Sequence, residues 1–174
     1  GESRTYGSCA AKPIGPLRWG ADPGTAQSIC CNNHKFAEQR GYWESTSLPL
    51  TVPSGQQLTF YDVSTGRPLF RAPVGRTYSD FVQASKRLGW PAFKDSEVLA
   101  DSLGGGVRVV SSIVGQHSTA DGAWLFSQAK DLELEVVSKE GTHLGHVLKD
   151  PVDGTPYYCV NVVCVAKPID KEVA

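Results

Sequence analysis

The stretch YYCVNVVCV, residues 157–165, decides how the rest of the chain is read. It is an apolar run rich in aromatic and β-branched residues, and it follows the turn signal DPVDGTP (150–156), so it reads as a buried strand. Side chains alternate along a strand. Tyr157, Cys159, Asn161 and Val163 therefore share one face, and Tyr158, Val160, Val162 and Cys164 the other. Cys159 and Asn161 become neighbours roughly 6–7 Å apart, whereas Cys164 falls on the opposite face about 16 Å away. A disulfide needs Cα atoms within about 7 Å, so Cys159 and Cys164 are not expected to pair unless the strand breaks.

Just upstream, GTHLGHVLKD (141–150) supplies His143 and His146, which would point to opposite faces of a straight strand. Gly145 between them marks a bulge or bend, and one bulge brings the two imidazoles together. Asp150 opens the turn that feeds the cysteine strand. Two histidines, an acid and a thiol are thus expected around one hairpin. A thiol is nucleophilic as the thiolate, which a neighbouring imidazolium or an amide donor favours, so the pattern points to a reactive cysteine. The plainer reading treats a lone cysteine in an apolar strand as a small inert hydrophobe, and the histidines as structural. A metal set of His143, His146 and Asp150, with His34 or His117, fits poorly. The H-x-x-H spacing is loose and does not lie on one helix face, so no metal is expected.

Beyond this hairpin the chain reads as β-rich. QQLTFYDV (56–63) and the segments that follow are short strands divided by the turn signals STGRP (64–68) and APVGR (72–76). YSDFVQASKRLG (78–89) predicts a helix with Phe81, Ala84, Ser85 and Leu88 on one face and Gly89 as its stop. The glycines 104–106 lack the Gly-Lys-Ser/Thr of a phosphate loop and read as a loop or hairpin. DLELEVVSK (131–139) alternates as a one-sided strand bearing Leu132, Leu134 and Val136. Residues 1–57, rich in Gly, Pro, Ser and Asn, read as an irregular arm packed on a β domain of residues 58–174. Trp19 and Cys9, Cys30 or Cys31 would tie that arm down, and a short helix within HKFAEQRGYWEST (34–46) would end at Gly41.

Composition narrows the function classes. A chain of 174 residues is expected to form one domain with its own core. Its formal charge is −1 and no Lys/Arg run exceeds two residues, which speaks against nucleic acid or an anionic membrane as partner. No apolar run is long enough to span a bilayer, and no secretory leader is read at the start. The sequence contains no methionine, the initiator included, as expected of a processed chain or of a tag remnant at Gly1. Its five cysteines form no C-x-x-C pair, and an odd number leaves at least one thiol free, so the compartment stays open.

GWPAF (89–93), THLGH (142–146) and YYCVN (157–161), with TGRPLF (65–70) upstream, resemble in this order the motifs of the B-type methionine-R-sulfoxide reductases. The resemblance covers roughly residues 58–166. It implies a mainly β fold of two small antiparallel sheets in a tent-like arrangement with one or two short helices. It implies thiol-dependent reduction of methionine-R-sulfoxide, free or in proteins, with Cys159 as the nucleophile that becomes a sulfenic acid and then a disulfide. His143, His146 and Asn161 would orient substrate and thiol, Asp150 would buttress a histidine, and Trp90 would be the aromatic wall; alternation turns Tyr157 toward the substrate as well, and Phe93 is a substrate-side candidate that reads more readily as core. Cys30, Cys31 or Cys9 would supply the resolving thiol, Cys30–Cys31 on a mobile loop being favoured, unless one of them bridges to Cys9. No bound cofactor is implied. The reductant would be thioredoxin or a similar protein, or glutathione if no arm thiol reaches, and the protein is expected to be a monomer.

Two departures stand out. The zinc-binding cysteine pairs of many members read here as Asp62/Thr65 and Val137/Glu140, and Tyr157 replaces the arginine usual two residues before the cysteine. The alternative reading is a binding module on the same fold that has lost catalysis.

Overall fold

The computed structural model describes residues 9–31, 38–99, 106–111, 115–118 and 134–169. These form a mainly β protein with two antiparallel sheets and two α-helices. β1 (Leu58–Tyr61) and β2 (Pro68–Ala72) make a two-stranded hairpin. β3 (Ala92–Phe93), β4 (Val107–Ser111), β5 (Gly115–Ser118), β6 (Glu135–Ser138), β7 (His143–Lys149) and β8 (Pro156–Val160) make the larger sheet, in the order β3-β8-β7-β6-β4-β5. None of the helices is long and apolar enough to cross a membrane, among the described residues.

The core lies on the face of the larger sheet that carries Phe93, Tyr158 and Val160. There Phe93 stacks on Phe70 (ring centroids 4.3 Å apart) and meets Phe60 and Phe81 edge-on or tilted. Phe60 and Phe70 come from the small hairpin and Phe81 from α2 (Tyr78–Leu88), so one aromatic cluster joins three elements. α2 forms where periodicity places it. Thr77 and Asp80 close a capping box at its start, and Gly89 ends it at φ 100°, a left-handed conformation that glycine adopts without strain. Phe81, Ala84, Ser85 and Leu88 are all buried, as their spacing requires.

Two features differ from the sequence reading. The arm is not wholly irregular: α1 (Pro23–Cys30) starts on an Asp22 cap with proline in its first turn and buries Ala26, Ile29 and Cys30. Together with Leu17, Trp43 and Leu48 these residues enter the same core as the sheet, and Trp19 packs on Phe60. Of the helix expected to end at Gly41, residues 34–37 lie outside the described residues and 38–40 are not helical. The run after Cys159 also does not continue as a strand. β8 stops at Val160, and Val162–Cys164 turn as a single 3-10 helix after Asn161. That break sends Cys164 inward to bond Cys30, while Cys31 bonds Cys9.

The expected zinc-replacement positions sit where the small hairpin meets the β6–β7 turn. Asp62, fully buried, accepts hydrogen bonds from Thr142 Oγ1 at 3.1 and 3.2 Å and from the backbone N–H groups of Ser64 and Thr65. Burial pushes its carboxyl above the usual carboxylate range. A polar tie therefore joins the two turns, and Glu140 adds an ion pair with Arg67 at 3.8 Å.

Candidate functional site

The site is built on β7 and β8. Gly145 faces Val160 and His146 faces Cys159 across the strand pair, so His146 and Cys159 lie side by side on the face opposite the aromatic core. The predicted bulge is present: Val136 pairs with Gly145 but Val137 with His143, leaving Leu144 as the extra residue. It turns His143 toward His146, and the two rings meet edge-to-face with centroids 5.4 Å apart. Gly145 is needed for close approach rather than for an unusual backbone angle. A Cβ there would run into the Cys159 carbonyl oxygen, a rigid neighbour.

Trp90, Gly145, His146, Val147, Leu148, Cys159 and Asn161 line a cleft of about 240 Å³. Four of the residues singled out in the sequence therefore converge: Cys159, His146, Asn161 and Trp90. His143 stands fully buried behind His146, with its Nδ1 2.7 Å from Glu135 Oε2. Tyr157 shares the face, as alternation predicts. It sits in an apolar patch with Ala84, Leu88, Ala92 and Cys159, under the Arg76 guanidinium at 5.5 Å, and does not line the cleft itself.

Other expectations are corrected. Phe93 does not line the cleft: its neighbour Ala92 takes the cleft-side face, and Phe93 points into the core, in line with the plainer reading of that residue. Asp150 does not buttress a histidine. Its Oδ2 accepts from Arg87 Nε and an Arg87 terminal nitrogen at 3.1 and 2.7 Å, and its Oδ1 accepts from the Val152 N–H, locking the β7–β8 turn to α2. The acid on His143 is Glu135, one strand away on β6. Cys9, Cys30 and Cys31 are not free resolving thiols, since all three are in disulfides, and Cys30 is buried in α1 rather than carried on a loop. Cys159 alone is unpaired. The metal set does not assemble. Asp150 is taken by Arg87, and His117 lies on β5, separated from β7 by β6 and β4. His34 lies outside the described residues. No cluster of three metal-ligating side chains occurs among the described residues.

Asn161 ties the cleft to the arm. Its side-chain amide donates to the Leu144 carbonyl at 2.9 Å, and its Oδ1 accepts from the Glu38 N–H at 3.2 Å. The Glu38 carbonyl in turn accepts from Trp90 Nε1 at 3.2 Å. Glu38 itself is buried, with Oε2 accepting from the Val163 N–H and Oε1 without a partner among the described residues. Burial pushes its carboxyl up to about 7, against the opposing pull of the Val162 and Val163 N–H groups. Glu38 was invisible in the sequence because long-range packing brings it in, and Glu135 because it reaches His143 across the β6–β7 strand pair, whose register the sequence does not print. The only local signal was the position of Glu135 within the alternating DLELEVV run.

Electrostatics hold the thiol neutral. Burial pushes Cys159 up to about 12; a backbone hydrogen bond from Leu148 and the Arg40 charge pull it down, and the Asp150 charge pushes it further up. Among known proteins, the chain matches no family model, no curated protein and no solved structure.

Proposed function

We propose that the protein reduces methionine-R-sulfoxide through Cys159. The observation that carries this reading is the convergence of Cys159, His146, Trp90 and Asn161 on one small cleft, with His143 held behind His146. The resemblance of the motifs to those of the B-type methionine-R-sulfoxide reductases supports it. Trp90 offers an apolar indole face to the substrate's S-methyl group. His146, partly exposed and beside Cys159, is placed to give a proton to the sulfoxide oxygen, and Glu135 fixes the ring of His143 that abuts it. The sulfur of Cys159 attacks the sulfoxide sulfur, and the oxygen passes to Cys159. The products are a thioether and a Cys159 sulfenic acid, two electrons having moved from the cysteine sulfur to the substrate sulfur.

Regeneration follows from the disulfide pattern. With Cys9, Cys30, Cys31 and Cys164 paired, a thiol from outside the chain reduces the sulfenic acid. One thiol condenses with it to a mixed disulfide and water, and a second thiol releases Cys159. Glutathione or a thioredoxin-like dithiol suits this step. Two disulfides also fit an oxidising compartment. The second reading, a binding module without chemistry, is favoured by one observation, the burial of the Cys159 thiol, which disfavours its thiolate.

A single-turnover assay separates the two and leaves the disulfides intact. Oxidised protein is mixed with dabsylated methionine-R-sulfoxide without reductant, and dimedone traps sulfenic acid. The expected result is close to one thioether per chain with the adduct on Cys159, none with Cys159→Ser, and none with the S epimer. Binding of the R form without turnover or adduct would replace the reductase by the binding module.

A further inference from the structure

The arm reaches the cleft through residues 38–41, and the residue there with the least obvious structural purpose is Arg40. Its side chain is exposed, yet it is not left in solvent. One terminal nitrogen donates to the Leu88 carbonyl at 2.9 Å and the other to the Arg87 carbonyl at 2.6 Å, both at the C-terminal end of α2. Those carbonyls carry the negative end of the helix dipole and have no partner within the helix, so a planar, two-pronged cation suits them. The Gly41 N–H adds a bond to the Gly89 carbonyl at 2.8 Å. Gly89 has no room for a side chain, because a Cβ there would strike the Arg40 stem. The guanidinium carbon then stands 6.0 Å from the Trp90 ring centroid, within cation–π reach, while the indole N–H is held by the Glu38 carbonyl.

We propose that Arg40 is a positioning residue of the cleft: anchored on the end of α2, it clamps the Trp90 indole and sets a fixed positive charge on the approach to Cys159. The inference rests on the reading of the cleft as a substrate site, but its test needs no turnover. The charges that act on Cys159 are Arg40, which favours the thiolate, and Asp150, which favours the thiol and is itself paired with Arg87. Losing Arg40 therefore removes a guanidinium that favours thiolate and frees one edge of the indole.

Because Cys159 is the single unpaired cysteine, alkylation of the oxidised protein reports on it alone. Rates at pH 8.5 would be measured with neutral iodoacetamide and anionic iodoacetate for wild type, Arg40→Met and Arg40→Lys, with hydrogen exchange of the Trp90 indole N–H followed by NMR. Arg40→Met is expected to lower the iodoacetate-to-iodoacetamide rate ratio severalfold and to speed indole exchange. Arg40→Lys, which keeps charge but not the two-pronged geometry, is expected to keep the ratio and still speed exchange. It also serves if the methionine variant does not fold. Equal ratios in all three proteins, or an indole exchange rate indifferent to both changes, would overturn the proposal. Absence of reductase activity in the preceding assay would leave these outcomes unaffected.

Discussion

Replacing Glu38 by glutamine tests how the arm is held on the cleft. Glu38 has a folded-state pKa of about 7 against an ordinary value of 4.5, because its carboxyl is buried and only the Val162 and Val163 N–H groups oppose the shift. The folded state therefore holds the proton more tightly than the unfolded chain. For a group raised in this direction, the favourable contribution is complete below pH 4.5 and is lost as the pH rises through 7, the reverse of a salt-bridged carboxylate. At about 1.4 kcal/mol per pKa unit, the shift amounts to about 3 kcal/mol of stability lost between pH 4.5 and 8. Glutamine keeps an acceptor for the Val163 N–H but cannot ionise, so this loss disappears. Urea unfolding of the disulfide-intact protein at pH 5, 6, 7 and 8 measures it. Wild type is expected to lose up to about 3 kcal/mol more than Glu38→Gln across that range. Asp62, which is also pushed up by burial, contributes equally to both proteins and drops out of the difference. Parallel pH profiles for the two proteins would refute the argument.

Gly145→Ala sets a Cβ against the Cys159 peptide and is expected to cost about 1–3 kcal/mol or more, with faster alkylation of Cys159 as β7 and β8 part. Thermal unfolding and iodoacetamide labelling check the two halves. Arg87→Ala leaves the buried Asp150 side chain without its cation and is expected to destabilise by about 1–3 kcal/mol. Changing Cys30 and Cys164 together to alanine removes a bridge closing 134 residues and is expected to cost about 2–5 kcal/mol, measured by urea unfolding beside the Cys9→Ala, Cys31→Ala pair.

Much of the local structure could be read from residue order. The helix over Tyr78–Leu88 announces itself by period, cap and terminal glycine, and the bulge in β7 by Gly145 inside an apolar run. Alternation placed Cys159 beside Tyr157, since that rule needs only the strand. What failed was contact across the sheet and across the chain. The motif resemblance cast Asp150 as the partner of a histidine. The turn instead swings it to Arg87 on α2, and the acid on His143 arrives from β6. Phe93 sits three residues past Trp90, yet the single pleat between Ala92 and Phe93 carries it to the other side of the sheet. The end of β8 was unreadable for a related reason. Val162 and Val163 have strong strand preference, but their burial against α1 and the bridge to Cys30 overrides it.

The adjacent cysteines 30 and 31 give the chain an order of assembly. Cys31 closes a bridge over 22 residues, so its partner Cys9 is already made when it appears. Cys30 must wait for Cys164, 134 residues later, by which time every strand of both sheets has been synthesised. If Cys31 pairs with Cys9 in that interval, Cys30 is a reduced thiol adjacent to that disulfide in the chain and able to attack it. A maturing chain is thus exposed to swapping within the arm until the turn after β8 claims Cys30. Whatever oxidises this protein must therefore either act late or allow the first bridge to be exchanged and remade.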